Sequence, residues 1–142
     1  MRKKIFFNLI LVFVFISIAG CTSLTQQQVQ KLNELNSKGI SSTQKKEKSP
    51  IAAAGLNLLP GFGNYYLAYG TNESPQWMYG TVNLLLWPIS PIWGVPEAAI
   101  DAHTINKKAT VSYYVYNPKG KKRLNNIKKN TSKDSKSDKI LR

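Results

Sequence analysis

Cysteine and histidine are almost absent from this 142-residue chain, which has one of each, Cys21 and His103. A single cysteine excludes a disulfide framework and multi-cysteine zinc or iron–sulfur sites, and a single histidine excludes multi-histidine metal sites. No phosphate-binding loop or nucleophile motif is present either. We therefore predict no metal ion and no cofactor. The length allows one modest domain at most.

Acidic residues are also few, seven against 20 Lys and Arg, which gives a formal net charge of +13. The cations are unevenly distributed. Residues 49–106 contain no Lys or Arg, whereas residues 107–142 contain twelve, against two Asp, for a net charge of +10. A basic excess spread over a folded domain is typical of nucleic-acid binding, but this one is concentrated at one end. The pattern indicates a leader, a polar spacer, an apolar segment and a basic tail.

The leader has three cations at residues 2–4, followed by 15 uncharged residues, 5–19. This arrangement is typical of a secretory signal and is short for a spanning helix, which needs about 20 residues. The next residues, Ile18-Ala19-Gly20-Cys21, resemble the lipobox of bacterial lipoproteins. The resemblance implies cleavage between Gly20 and Cys21, so that residues 1–20 are a signal peptide. It also implies that Cys21 is acylated, with palmitate among the acyl groups. The alternative is a signal anchor with an incidental cysteine.

The resemblance to lipoproteins implies an exported protein that is lipid-anchored in the cell envelope, on the periplasmic side. Thr22 after the cysteine, in place of Asp, favours the outer membrane over the inner one. Membrane lipids are the predicted partners, through the acyl anchor and through anionic headgroups that attract the basic tail at about 1 kcal/mol per Lys or Arg. Wall polymers, acidic envelope proteins or a merely solvated tail are the alternatives. Export argues against nucleic acid as a partner.

Residues 21–50 form the lipidated cysteine and a polar spacer. Leu24, Val29, Leu32 and Leu35 lie roughly on one face of a short polar helix that Gly39 would end. Four apolar residues cannot offset the entropy lost on ordering this segment, so a frayed tether is favoured over a docking helix. Residues 40–50 are typical of a linker.

Residues 51–103 are apolar and divide at a polar turn, residues 70–76, into halves of about 20–25 residues that could each cross a bilayer. Pro60, Pro88, Pro91 and Pro96 interrupt both halves. We predict a Gly/Pro-broken helical hairpin that is membrane-inserted, re-entrant or interfacial, with a small soluble helical core as the alternative. Aromatic residues suited to the headgroup level are Tyr65, Tyr66, Trp77, Trp87 and Trp93.

Residues 59–68 (Leu-Pro-Gly-Phe-Gly-Asn-Tyr-Tyr-Leu-Ala), with Gly80, residues 92–94 (Ile-Trp-Gly) and Ile100-Asp101, resemble the two-transmembrane-helix (TM-two) domain family. The resemblance covers about 50 residues and implies a two-helix hairpin. Gly61 and Gly63 would permit positive φ angles, and Gly80 would let the two helices approach closely. A hairpin that spans the inner membrane would put basic flanks outside the cytoplasm, against the usual charge bias. A hairpin lying in one leaflet, or packed on a partner, avoids this conflict.

Residues 104–127 are predicted to form a small β-hairpin, because Val111, Tyr113 and Val115 alternate and residues 117–120 suit a turn. Residues 128–142 are predicted to be a disordered basic tail. The predicted fold class is mainly α: a signal helix, a short polar helix, the apolar hairpin, the small β-hairpin and the tail.

The function predicted from these features is non-catalytic: an envelope lipoprotein that docks to a membrane or a partner through its aromatic hairpin. An accessory subunit of a larger envelope machine is one alternative. A small binding module or enzyme using Glu97, Asp101 and His103 is another, because paired carboxylates can act as acid and base. Charges near a helix end are the simpler explanation of those three residues.

Overall fold

The computed structural model describes residues 22–127 and residue 129. The described part of the chain is mainly helical, which confirms the mainly α class, and it contains no strand, so the small β-hairpin of the predicted fold is absent from it. The helices are α1 (Gln26–Asn36), α2 (Pro50–Leu56), α3 (Phe62–Ala68), α4 (Pro75–Leu85) and α5 (Pro91–Tyr116), and residues 118–127 are helical as well. The predicted signal helix and nearly all of the predicted basic tail lie outside the described residues.

The chain divides into two compact units. Within the described residues, unit 1 comprises residues 22–23 and 48–104, and unit 2 comprises residues 24–47, 105–127 and 129. Helix α5 contributes its first part to unit 1 and its last part to unit 2. Both units therefore combine segments that are far apart in sequence.

In unit 1, each half of the apolar segment is divided into short helical pieces. The first half breaks at Pro60–Gly61, where Gly61 has a φ of +85° and precedes α3. The second half breaks near Pro88, and Pro91 then begins α5 at a helix position that tolerates proline. The expected break at Pro96 is wrong, because α5 continues through it. Proline there removes a single backbone bond, the one to the carbonyl of residue 92.

In unit 2, α1 is the short polar helix of the predicted fold class, and the favoured interpretation as a frayed tether is wrong, because Leu32 and Leu35 are buried in the core. Thr25 caps it in a reciprocal pair with Gln28: each side chain accepts a hydrogen bond from the other residue's backbone N–H, at 3.3 and 2.9 Å. The core of unit 2 consists of buried apolar side chains from α1, the following turn and α5: Leu32, Leu35, Ile40, Val111 and Tyr114.

The segment after α1 differs from the expected free linker. The backbone N–H of Lys45 donates to Thr110 Oγ1 at 3.0 Å, and that of Glu47 donates to Asn106 Oδ1 at 2.7 Å. Both acceptors lie on α5, which the leucines of α1 also contact. Packing against α5 supplies the stabilisation that the spacer lacks by itself.

The predicted β-hairpin at residues 104–127 is wrong. Residues 105–116 belong to α5, and Asn117 caps a further helical segment by accepting a hydrogen bond from Lys119 N at 2.9 Å. Pro118 therefore begins a helix and does not form a hairpin turn. Val111 and Tyr114, three positions apart, share the buried helix face. This helical burial overrides the strand propensity of alternating Val and Tyr.

Candidate functional site

Helix α4 turns its polar side inward. Gln76, Gly80 and Asn83 are buried at positions i, i+4 and i+7, which form one helix face. Its exposed side chains include large apolar ones, such as Trp77 and Leu85. This orientation is the reverse of a surface helix on a water-soluble domain, whose apolar stripe faces the core.

Asn64 of α3 is the centre of a buried network of side-chain amides. Its Oδ1 accepts from Asn57 Nδ2 at 3.1 Å and from Asn83 Nδ2 at 2.9 Å, and its Nδ2 donates to Gln76 Oε1 at 2.8 Å. Because Asn64 has no exposed surface, these bonds are protected from competition with water. The amides link α3 to the residue that ends α2 and to α4.

The network continues to α5 at two points. Trp93 Nε1 donates to Asn83 Oδ1 at 3.0 Å, and Asn57 Nδ2 donates to the carbonyl of Gly94 at 2.5 Å. Ser90 Oγ adds a bond to the carbonyl of Asn83 at 2.7 Å. Throughout the described residues, no buried side-chain nitrogen or oxygen lacks a hydrogen-bond partner. A fully satisfied network can specify one arrangement of the helices.

At its other end, the network reaches the first described residue. Gln76 Nε2 donates to Thr22 Oγ1 at 3.0 Å and to Asp101 Oδ2 at 2.5 Å, and the backbone N–H of Thr22 donates to Asp101 Oδ1 at 3.2 Å. Gln76 and Asp101 are completely buried, and Thr22 is 6% exposed. Thr22 is thus bound inside unit 1.

Glycines allow the helices of unit 1 to pack closely against one another. A Cβ on Gly61 would lie 2.1 Å from the carbonyl oxygen of Gly80, and a Cβ on Gly80 would lie 2.5 Å from the Tyr65 ring. Gly63 does not have the positive φ that the sequence suggested, but a Cβ there would lie 2.2 Å from the carbonyl oxygen of Ala53. Small residues and interhelical hydrogen bonds are the usual packing elements of helices in lipid.

The exterior of unit 1 is apolar. Its buried hydrophobic residues are four alanines and Leu67, whereas Ile51 is 86% exposed and Leu85 and Ile92 are each 78% exposed. Soluble monomers seldom expose apolar patches of more than a few hundred Å² unless the patch has a binding role. Other exposed members of this apolar exterior are Leu56, Leu58, Leu59, Phe62, Tyr69, Trp77, Met78, Val82, Leu84, Trp87, Ile89 and Ile100.

The predicted interface aromatics divide into two groups. Trp77 and Trp87 are exposed, at 52% and 66%. Tyr65, Tyr66 and Trp93 are half-buried. The Tyr65 hydroxyl lies 3.2 Å from Thr81 Oγ1, and the Tyr66 hydroxyl accepts from the backbone of Ser49 at 3.0 Å. The half-buried aromatics therefore hold neighbouring segments together as well as facing outward.

Lys48, which was not among the predicted site residues, is the one cation among the described residues of unit 1. Its Nζ donates to the carbonyls of Tyr66 and Tyr69 and lies 4.5 Å from the centre of the Tyr66 ring. These carbonyls end α3, where a cation is favoured by the helix dipole. The buried ammonium group of Lys48 therefore provides hydrogen-bond donors for carbonyl groups at the C-terminal end of α3.

The described part of unit 2 has the opposite surface chemistry. It contains eleven Lys and Arg against two Glu, a net charge of +9, whereas the described part of unit 1 has a net charge of −2. Lys119, Lys121, Lys122 and Arg123 are all exposed. Glu34 is paired with Lys38 and Lys31, and their hydrogen bonds lower its pKa to about 2.

The three residues of the enzyme hypothesis are not brought together on one surface. Glu97 and Asp101 are buried, and His103 is exposed. Asp101 accepts hydrogen bonds from Thr22 and Gln76. Among the described residues, no group of three or more His, Cys, Asp or Glu side chains could hold a metal ion. The lipidation and cleavage residues, Cys21 and Gly20, lie outside the described part.

The described residues include no helix with both the length and the apolar character needed to traverse a bilayer. No protein family, curated protein or solved structure was found to match the chain. The resemblances to the lipobox and to the TM-two family therefore stay predictions.

The buried amides were not predicted as functional residues from the sequence: Asn57, Asn64, Gln76 and Asn83. A signal for them was present: Gln76, Gly80 and Asn83 follow a helical spacing inside an otherwise apolar segment. In such a segment, the polar stripe marks the packed face.

Proposed function

We propose that this protein is a non-catalytic lipoprotein of the bacterial cell envelope, anchored through acylated Cys21, with unit 1 immersed in one leaflet of the membrane. The observation that supports the proposal most is the distribution of side chains in unit 1. Amides and Asp101 occupy its interior, while large apolar side chains occupy its exterior. Water favours the reverse arrangement, and hydrocarbon favours this one.

The length of α4, whose apolar side faces outward, matches one leaflet. Helix α4 has 11 residues, which span about 16 Å at about 1.5 Å per residue. The hydrocarbon core of a bilayer is about 30 Å thick, so α4 matches about half of it. The broken helical hairpin expected at residues 51–103 then lies within the leaflet of the outer membrane that faces the periplasm. It does not cross the outer membrane.

The energy of immersion is sufficient for a stable contact. Burying one large apolar side chain contributes about 2 kcal/mol. Ile51, Leu58, Leu85, Trp87 and Ile92 are each at least 66% exposed, and five such side chains contribute about 10 kcal/mol before the cost of immobilisation. An acyl chain alone gives marginal binding, and a second signal makes it stable. The apolar exterior is such a second signal.

The basic surface of unit 2 supplies electrostatic attraction to anionic lipid headgroups. Its net charge of +9 would be attracted to a negative surface at about 1 kcal/mol per nearby cation. The proposal includes no catalytic role for Glu97, Asp101 or His103. Asp101 instead joins segments of unit 1, through Thr22 and Gln76.

Metabolic fatty-acid labelling of the wild type and of Cys21→Ala tests the anchor. We expect label in the wild type alone, and membrane fractionation should place it with the outer membrane. An unlabelled wild type would refute the lipoprotein proposal, because its one cysteine is the sole predicted acylation site.

Tryptophan quenching tests the immersion of unit 1, which contains all three tryptophans of the chain. Vesicles with lipids brominated along the acyl chain should quench the fluorescence of Trp77 and Trp87. Leu85→Glu should weaken the vesicle binding of Cys21→Ala protein about 30-fold, because a charge in hydrocarbon costs about 2 kcal/mol or more. Asn72→Glu, which adds the same charge in the exposed turn, is the matched control. No quenching, with a defined heavy complex in mild detergent, would favour the accessory-subunit alternative.

The electrostatic part is tested by replacing Lys119, Lys121, Lys122 and Arg123 with Gln. Truncation before Lys119 is less suitable, because it also removes Leu124 and Ile127, which pack against the unit 2 core. In the Cys21→Ala background, the substituted protein should leave anionic vesicles at lower salt than the parent. Equal release at every salt concentration would contradict the role of the basic surface.

A further inference from the structure

Thr22 follows Cys21 directly and is tied to residues that are distant in sequence. Its backbone N–H donates to Asp101, 79 positions away, and its hydroxyl accepts from Gln76, 54 positions away. Residues that follow a lipidation site and act as a tether would be solvated. Thr22 is instead 6% exposed.

Other hydrogen bonds of the network orient Gln76, and Gln76 in turn bonds to Asp101. Gln76 Oε1 accepts from Asn64 Nδ2, which directs the Gln76 amide nitrogen towards Thr22 and Asp101. That nitrogen bonds to both at once, at 3.0 and 2.5 Å. One carboxylate oxygen of Asp101 accepts from Gln76 and the other from Thr22. The pair is thus a built site for one main-chain amide and one hydroxyl.

We propose that Asp101 and Gln76 form a clamp that binds Thr22, the residue next to the predicted lipidation site, and so fixes the position of that site on unit 1. The ligand is this chain's own Thr22, recognised through its N–H and its hydroxyl. Any acyl group on Cys21 then begins one peptide bond from a residue fixed in unit 1. The acyl chains and the apolar exterior therefore enter the same leaflet together, with no tether between them. This consequence rests on the proposed lipidation, whereas the clamp itself does not.

Amide hydrogen exchange tests the clamp directly. The lipoprotein, uniformly labelled with 15N, is placed in nanodiscs of zwitterionic and anionic phospholipid, and the Thr22 signal is assigned by its change in Thr22→Ser. We expect the Thr22 amide to exchange at least about 100-fold more slowly than in an unstructured peptide. Asp101→Leu should remove at least about tenfold of that protection, whereas Asp101→Asn, whose single acceptor oxygen can replace one of the two bonds, should remove less of it.

The indole N–H of Trp93 is the internal control for folding, because it donates to Asn83 elsewhere in the same network. An unprotected Thr22 amide beside a protected Trp93 indole would overturn the clamp, as would unchanged Thr22 exchange in Asp101→Leu. If Asp101→Leu exposes the Trp93 indole too, Thr22→Val decides the matter. This variant loses the hydroxyl bond alone and should exchange several-fold faster at residue 22, and unchanged exchange overturns the clamp.

These outcomes separate the clamp from the lipoprotein proposal. A protected Thr22 amide in a chain without fatty-acid label supports the clamp and refutes lipidation. A labelled chain with an unprotected Thr22 amide refutes the clamp and leaves the lipid anchor in place.

Discussion

Replacing Asn64 with Leu should destabilise unit 1 severely, although such a change puts an apolar residue into a buried position. Leu has the same number and branching of non-hydrogen side-chain atoms as Asn, so the substitution leaves no cavity of the kind that accompanies core truncations. The loss comes from the partners. Gln76 Oε1 and Asn83 Nδ2 each lose the hydrogen bond that they make to Asn64, while Asn57 Nδ2 keeps its bond to the Gly94 carbonyl.

Two buried polar groups therefore become unpaired. At about 2 kcal/mol for each, the free energy of unfolding should fall by about 4 kcal/mol. This exceeds the range of ordinary point substitutions and has a named mechanism, a broken buried network.

The assay is denaturant unfolding of the protein in mild detergent, followed by tryptophan fluorescence. All three tryptophans belong to unit 1, so the signal reports this unit alone. Asn72→Leu is the matched control, because Asn72 is exposed in the turn between α3 and α4. A difference of less than about 0.5 kcal/mol between the two variants would refute the reasoning, since it would mean that the amides do not hold the helices together.

Three further predictions concern other contacts. Gly80→Ala should lower the unfolding midpoint of unit 1, because its Cβ would lie 2.5 Å from a tyrosine ring. Gly55→Ala, which meets nothing within 4 Å, should be neutral or stabilising by up to about 1 kcal/mol. Lys48→Met should destabilise unit 1 by about 1–3 kcal/mol, because carbonyls at the end of α3 lose a buried charged donor; the same fluorescence titration measures it. In α1, the lowered pKa of Glu34 means that its stabilising contribution is present above pH 4.5 and is lost as the pH falls through about 2. Carboxyl NMR titration should show this pKa rising towards 4.5 in Lys38→Met, and an unchanged pKa would contradict the pairing.

Much of the helical architecture follows from local signals. Pro50, Pro75 and Pro91 each stand at the first position of a helix. Thr25 with Gln28 forms a capping box, and Pro60–Gly61 marks a break. These signals act within a few residues, so they can be recognised without knowledge of the partner elements.

The C-terminal region shows where local signals fail. Alternating Val and Tyr at residues 111–115 predicts a strand, yet Val111 and Tyr114 lie on one face of α5 against Leu32, Leu35 and Ile40. The deciding contacts come from residues about 75 positions earlier in the chain. A short segment of the sequence therefore does not contain both sets of residues that form this core.

The sequence by itself determined that residues 49–106 lack basic charge, that the chain is helical where proline and caps open helices, and that cations concentrate in its C-terminal part. Only the tertiary structure decided which side of each helix faces inward. In unit 1, the amides and Asp101 are inside and the large apolar residues are outside. The physical reason is that a stripe of residues along a helix becomes buried only when the neighbouring helices pack against it. In unit 1, the amides bond to one another and the glycines let the helices approach closely, so the large apolar side chains remain on the outside.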